Sequence, residues 1–137
     1  MKVLVDTCVW SLALRRRKKL DLQLIQGLSD LIKELRVQMI GPIRQELLSG
    51  IRSTTQFEKL QLNLQAFPDL PLESADYEIA AGFFNTCQKR RIQGSNTDFL
   101  ICALSSHYKM AIFTTDKDFL RFKKHLPIFL YPIKTEK

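Results

Sequence analysis

The sequence has few of the features that mark secreted, disulfide-stabilised or membrane proteins. Its cysteines, Cys8, Cys87 and Cys102, are widely spaced and form no Cys-x-x-Cys pair, which excludes a disulfide framework and argues against a zinc site. No apolar run approaches the roughly 20 residues that span a membrane, and Asp6 interrupts the place where the core of a signal peptide would lie. We therefore expect a cytoplasmic protein with reduced, buried thiols.

Groups for nucleophilic or phosphate-loop chemistry are also scarce. The two histidines, His107 and His125, have no obvious partner in the sequence, so we interpret both as structural or solvated. There is no glycine-rich phosphate loop, and no cysteine has a recognisable histidine partner. Of the common catalytic classes, chemistry assisted by a metal ion bound to carboxylate side chains remains.

Basic charge is what the chain has in excess. It counts 21 Lys and Arg against 14 Asp and Glu, a formal net charge of +7 with a pI near 9.5. This balance suits a polyanionic partner such as nucleic acid, although many basic proteins bind none. With 137 residues, 45% of them hydrophobic, the chain is the size of one domain with its own core, and we predict a single domain over residues 1–137.

Apolar strand-like runs alternate with helical patterns along the whole chain. This alternation predicts an α/β fold with a mainly parallel sheet. The predicted strands, in chain order, are Val3–Val5, Val37–Ile40, Asp69–Leu72, Ala111–Phe113 and Ile128–Tyr131. The strand at 69–72 is expected to be a short edge strand, because its prolines exclude it from the centre of a sheet.

Several helix boundaries have sequence signals of their own. A leucine and isoleucine stripe from residue 24 to residue 35 predicts an amphipathic helix whose apolar face is core, or in part a dimer or partner surface. The basic run Arg15–Lys19 before it is interpreted as a solvated loop, with phosphate contact as the alternative. Ser53 with Gln56 forms a capping-box pattern, and Ser74 is predicted to cap the next long helix.

Two acidic residues directly follow predicted strands. Asp6 comes directly after Val5, and Asp116 follows the predicted strand Ala111–Phe113, in TTDKDF. Asp6 has a structural alternative as the cap of the helix that follows, and we assign that capping role to Thr7. We assign Asp118 mainly to a capping box with Thr115 and keep Asp116 as the candidate ligand.

Two further acids lie in early turns of predicted helices. Glu46 falls in the second turn after Gly41-Pro42, where an exposed glutamate is ordinarily a solubility residue. Asp98 opens the most apolar helix, predicted to be the central buried one, and Ser95 three residues earlier completes a capping box with it.

All four acids are expected at one edge of the sheet. In a right-handed α/β arrangement the carboxyl ends of parallel strands and the helices entered there meet at the same edge. Crowded carboxylates repel one another unless a cation lies between them. Oxygen ligands suit Mg²⁺ or Mn²⁺, so the pattern favours a divalent metal site.

These motifs resemble those of the PIN domain family, and more narrowly those of VapC-type toxins. The resemblance runs over nearly the whole chain and is carried by Asp6-Thr7, by Glu46 in RQELLSG, by Asp98 in NTDFLICALS and by Asp116 in TTDKDF. It implies an α/β/α sandwich, a Mg²⁺-dependent ribonuclease activity on tRNA or rRNA, a homodimer, and a small VapB-like antitoxin that covers the acidic pocket.

The same resemblance suggests roles for individual residues. Asp6 and Asp98 are expected to be direct metal ligands, while Glu46 and Asp116 complete the shell or position water, and Asp118 is a further candidate ligand. The expected supporting residues, which would act by hydrogen bonding, are Thr7, Asn96 and Thr115.

Other functions stay open at this point. A PIN-fold RNA-processing nuclease without a toxin role and a non-catalytic RNA- or protein-binding PIN module share the fold. A haloacid-dehalogenase-like phosphatase needs Asp-x-Asp where this chain has Asp6-Thr7-Cys8, and a receiver-type domain needs an acidic pair near the end of the first strand. Neither of these last two patterns is present.

Overall fold

A parallel four-stranded sheet organises the computed structural model, which describes residues 1–14 and 19–133. Its strands, in the spatial order β2-β1-β3-β4, are β1 (Val3–Val5), β2 (Val37–Gln38), β3 (Ala111–Phe113) and β4 (Phe129–Leu130). The predicted α/β class and parallel sheet are confirmed. β2 and β4 are shorter than predicted, and the predicted edge strand at 69–72 is reduced to one parallel bridge between Met39 and Asp69.

Helices flank this sheet. They are α1 (Thr7–Leu14), α2 (Lys19–Lys33), α3 (Gly41–Leu48), α4 (Thr54–Leu64), α5 (Ser74–Lys89), α6 (Asn96–Tyr108) and α7 (Asp118–Lys123). Most of the predicted basic loop, residues 15–18, lies outside the described residues. In the part of the chain that the structure describes, no helix is long and apolar enough to cross a membrane.

The core lies around β1 and α6. All three side chains of β1 are fully buried, which requires cover on both faces of the sheet. Every residue of α6 from Phe99 to Ser105 is buried, so the prediction of a central apolar helix is confirmed. The stripe of α2 is core only at Leu28 and Leu31, whereas Leu35, beyond the end of α2, is 80% exposed.

For α4, α5 and α7, two predicted caps are wrong and one is confirmed. α5 is capped by Glu73, which forms a capping box with Asp76, and Ser74 is already the first helical residue. α7 has Lys117 in the capping position without a side-chain bond, so Asp118 forms no capping box with Thr115. The Ser53 hydroxyl accepts a hydrogen bond from the Gln56 amide at 3.3 Å, as predicted.

The strand order creates a crevice at the carboxyl edge between β1 and β3. From β1 the chain passes to β2 on one side, and it later enters β3 on the other side of β1. The connections leaving β1 and β3 therefore diverge. In open α/β sheets such a topological switch point is where ligands bind.

Candidate active site

Asp6 stands at this crevice, directly after β1. Its backbone N–H donates to the carbonyl of Phe113 at 2.9 Å, which keeps β1 and β3 in register up to the site. Its carboxylate accepts hydrogen bonds from the Thr7 amide at 2.8 Å, the Thr114 hydroxyl at 2.8 Å and the Cys8 thiol at 3.6 Å. Three donors from two strand ends thus fix the orientation of this carboxylate.

Thr7 connects Asp6 to Glu46 and does not cap α1 with its side chain. Its hydroxyl donates to Oε2 of Glu46 at 2.8 Å, across 39 residues of sequence. The amide at the start of α1 is satisfied by the Asp6 carboxylate instead. The interpretation of Thr7 as the helix cap is therefore wrong, and its hydroxyl is a bridge between two candidate site residues.

Glu46 is held by the packing of α3. Pro42 lies in the first turn of the helix, where its missing N–H costs nothing, and Ile43 and Leu47 are buried on the inner face. This leaves Glu46 exposed on the side that faces α1, within reach of Thr7.

Asp98 has both a structural contact and a free oxygen. The Ser95 hydroxyl accepts from the Asp98 amide at 3.0 Å, and Oδ2 of Asp98 accepts from the Ser95 amide at 3.0 Å, so the predicted capping box is confirmed. Within the described residues, Oδ1 of Asp98 has no hydrogen-bond partner. Capping and ligand binding are therefore compatible, because each uses a different oxygen.

Thr114, which the sequence pattern did not single out, joins Asp6 to Asp116. Its hydroxyl donates to Asp6 and accepts from the Asp116 amide at 3.0 Å. The signal for it was the TTD run directly after a strand that pairs with β1, since the first residue beyond each of two paired strands lies beside the other. Thr115 is exposed, and its amide donates to Sγ of Cys8 at 3.4 Å.

The remaining candidates lie at the margin of the site. Asp118 forms an ion pair with Arg121 at 2.6 Å, and its own amide donates to Oδ1 of Asp116 at 2.9 Å. Asn96 is exposed, and no hydrogen bond of its side chain occurs within the described residues. Cys8 is only half-buried, unlike Cys87 and Cys102, which are buried as predicted.

Threonine hydrogen bonds and mutual charge repulsion connect the four carboxylates. Burial raises the pKa of Asp6, and the charge of Asp98 adds to this, against hydrogen bonds from Thr114, Thr7 and Cys8 that lower it. Burial also raises the pKa of Asp98, with repulsion from Asp116 and Glu46 opposing the effect of its Ser95 hydrogen bonds. The structure therefore brings together the four predicted acids.

No cation neutralises this cluster among the described residues. The ion pairs found there involve other acids: Glu34, Asp69, Asp76 and Asp118. Within the same described residues, no three His, Cys, Asp or Glu side chains lie close enough together to bind one metal ion directly. An oxygen donor set with few direct ligands fits Mg²⁺, which keeps several waters and commonly binds through one or two carboxylates.

The raised pKa values predict how the metal-free protein responds to pH. A carboxyl whose folded pKa lies above its unfolded value, near 3.8, adds stability below that value and loses it as pH rises through the folded pKa. At neutral pH without metal, Asp98→Asn should therefore raise the melting temperature, and the gain should shrink at acidic pH. Asparagine still accepts the Ser95 hydrogen bond, so the cap is kept.

Thermal denaturation in chelator from about pH 4 to about pH 8 measures this effect. Asp118→Asn is the matched control, because the Asp118 carboxylate is exposed and ion-paired. A neutral-pH melting temperature that Asp98→Asn leaves unchanged or lowers would contradict the prediction.

Comparison with known proteins identifies the family. The family model described as PIN domain matches residues 3–125. The chain belongs to the PIN domain family. PIN domains are in general nucleases that use divalent metal ions, and the four carboxylates lie within the matched range. No curated protein shows significant sequence similarity to this PIN domain.

Solved structures show the same fold at low sequence identity. FitAcB from Neisseria gonorrhoeae is 19% identical with a TM-score of 0.75, over 95% of this chain and 96% of that one. VapBC2 from Rickettsia felis, bound to a DNA fragment from their promoter, is 15% identical with a TM-score of 0.74, again over 95% and 96%. FitAB bound to an IR36 DNA fragment is 20% identical with a TM-score of 0.76, over 98% of both chains.

Proposed function

We propose that this PIN domain, acting as one unit over residues 1–137, is a Mg²⁺-dependent endoribonuclease and the toxin of a VapBC-type pair. The observation that carries the proposal is the cluster of Asp6, Glu46, Asp98 and Asp116 at the crevice between β1 and β3. Among the described residues, none of these four acids forms an ion pair. Mutually repelling acids held together by a fold are expected where a divalent cation binds.

The proposed metal contacts all come from residues of this chain. Asp6 and Asp98 would be the direct ligands, while Glu46 and Asp116 would complete the shell or position water. A bound Mg²⁺, or Mn²⁺, would lower the pKa of a water molecule and neutralise charge on a phosphodiester. Asp118 is not included, because Arg121 holds its carboxylate.

The chain's own contribution is orientation. Thr114 and the Thr7 amide fix the Asp6 carboxylate, and the Thr7 hydroxyl fixes that of Glu46. Carboxylates that are already oriented lose little entropy when metal and substrate bind. The hydrogen bonds from Thr7 and Thr114 therefore favour catalysis, although neither residue contacts the RNA. Water attack in line with the scissile bond would leave a 5′-phosphate and a 3′-hydroxyl.

Charge supports a nucleic-acid substrate. Without the four acids, the chain has 21 basic and 10 acidic residues, a formal net charge of about +11 for the rest of the chain. An acidic pocket in a basic molecule suits a polyanion held by its backbone while the metal screens the scissile phosphate. Single-stranded loops of tRNA or rRNA are the proposed class.

Thr114 provides a test of this orientation. Thr114→Val removes a hydrogen bond to Asp6 and the acceptor of the Asp116 amide, so we expect about 10–100-fold slower cleavage at limiting Mg²⁺. The measurement is a Mg²⁺ titration of the RNA cleavage rate. Thr115→Val keeps its backbone bond to Cys8 and should cleave like the parent. Equal rates for the two variants would rule out the role given to Thr114.

A partner and a dimer belong to the same proposal. VapBC2 of Rickettsia felis, bound to a DNA fragment from their promoter, is the fold relative on which the analogy rests. By analogy, a small VapB-like antitoxin would cover the carboxylate cluster of this chain, and two copies would form a homodimer, in the cytoplasm.

The deciding experiment incubates the purified protein with a pool of tRNA and rRNA in Mg²⁺, in Mn²⁺ and in chelator. We expect cleavage in either metal and none in chelator; cleavage that persists in chelator overturns the metal-dependent mechanism. Growth arrest on expression, relieved by a small protein encoded beside the gene, separates a toxin from an RNA-processing nuclease. Absence of cleavage together with RNA binding would favour a non-catalytic PIN module.

A further inference from the structure

A groove of about 580 Å³ opens beside the carboxylate cluster, and Glu46 lines it directly. It runs between α1, α3 and α4, from Ser11 to Asn63. Its volume lies within the ~300–1,000 Å³ typical of ligand sites. Because Glu46 belongs to both features, a ligand that fills this groove reaches the candidate active site.

One face of α4 supplies the polar wall. Gln56, Lys59 and Asn63 are spaced three and four residues apart, so they lie side by side on the helix, and all three are exposed. Leu60, in the same row, is buried and anchors the helix. The wall is therefore a rigid helical surface.

The groove has the chemistry of a nucleotide site. Among the described residues that line the groove, Lys59 is the one cation, and within that part of the chain it forms no ion pair with Glu46 or any other acid. The amides of Gln56 and Asn63 each offer a donor and an acceptor, as base edges require. Ile51 and Leu60 provide an apolar surface for the face of a base.

We propose that this groove, with Lys59 on the phosphate backbone and Gln56 and Asn63 on the bases, binds the single-stranded RNA segment next to the scissile phosphate. The inference rests on the proposed ribonuclease function and names the surface that holds its substrate. It follows that base preference is set in part by α4, outside the carboxylate cluster.

The test uses the Asp98→Asn protein in Mg²⁺, which is expected to bind RNA without cutting it. The Asp98→Asn protein is the parent of three double variants, which carry Lys59→Gln, Asn63→Leu or Lys109→Gln in addition. Fluorescence anisotropy measures the binding of labelled oligouridylate and oligoadenylate to each protein. Lys109 is the matched control, because it ends α6 at the opposite edge of the sheet. Loss of one phosphate contact on a single strand should weaken binding about five-fold at ~0.1 M salt and reduce the salt slope by about 0.7.

We expect that loss for Lys59→Gln, no change for Lys109→Gln, and an altered ratio of the two oligonucleotides for Asn63→Leu. Photo-crosslinking of 4-thiouridine RNA to the parent should label residues 49–63. If Lys59→Gln binds like Lys109→Gln and the crosslinks map elsewhere, the groove is not the RNA site, while the ribonuclease proposal stands. If the parent binds no RNA at all, the proposed function fails and this inference fails with it.

Discussion

Asp6→Asn is expected to reduce Mg²⁺-dependent RNA cleavage by at least ~100-fold, because replacing a direct ligand should cost more than the ~10–100-fold typical of outer-shell contacts. Asparagine keeps the shape, and its one oxygen can still accept from the Thr7 amide, while its NH2 group replaces the oxygen that accepts from the Thr114 hydroxyl. What it removes is one negative charge of the cluster. The measurement is the initial cleavage rate over a range of Mg²⁺ concentrations.

Folding gives this prediction an internal check. Since burial raises the pKa of Asp6, removing its charge at neutral pH offsets the loss of the Thr114 hydrogen bond in the metal-free protein. A melting temperature of Asp6→Asn close to that of the parent therefore separates lost activity from unfolding. Asp118→Asn is the matched activity control, because its carboxylate pairs with Arg121. An Asp6→Asn enzyme with undiminished rate, or an equal loss in Asp118→Asn, would refute the assignment of Asp6.

Asp76→Ala is expected to destabilise the fold by about 2–4 kcal/mol, of which helix capping supplies about 1 kcal/mol and hydrogen bonds to a charged group the rest. Asp76 is fully buried in the first turn of α5. Its carboxylate accepts from the Glu73 amide at 2.9 Å and lies 2.9 Å from Nδ1 of His107 and 3.4 Å from the Tyr108 hydroxyl. These bonds join α5 to the carboxyl end of α6.

Chemical denaturation measures this loss, and the melting temperature should fall by roughly 10 °C. Asp118→Ala is the control for burial, since its exposed ion pair is worth about 1 kcal/mol or less. RNA cleavage per folded molecule should not change, because nine residues of α6, about 14 Å, separate His107 from Asp98. If Asp76→Ala lowers the free energy of unfolding by less than Asp118→Ala does, the hydrogen bonds of Asp76 do not stabilise the packing of α5 on α6.

Local signals predicted much of the secondary structure. Glycine and proline at the start of α3, the serine cap of α4 and the Ser95 to Asp98 capping box each act within a few residues, so they can be read directly from the sequence. The boundaries that failed were those set by neighbours. Glu73 replaces Ser74 as the cap of α5 because Asp76, held by α6, accepts its amide.

The same division holds for the site. The four acids could be proposed from sequence, since each follows a strand or opens a helix, and parallel topology sends all such positions to one edge. The residues that orient them could not. Thr114 reaches Asp6 across 108 residues and Thr7 reaches Glu46 across 39, and no local pattern encodes either bond. His107 likewise had no visible partner, because Asp76 lies 31 residues away.

By itself, then, the sequence determined the α/β class, the parallel sheet and the set of acids at its edge, because hydrophobic period and strand-end position are local properties of a chain. Only the tertiary structure decided which oxygens are free, which threonine holds Asp6, that Asp118 pairs with Arg121, and that a groove continues from Glu46 along α4. Those features depend on side chains brought together from distant segments, and their geometry exists only once the sheet and its helices have packed.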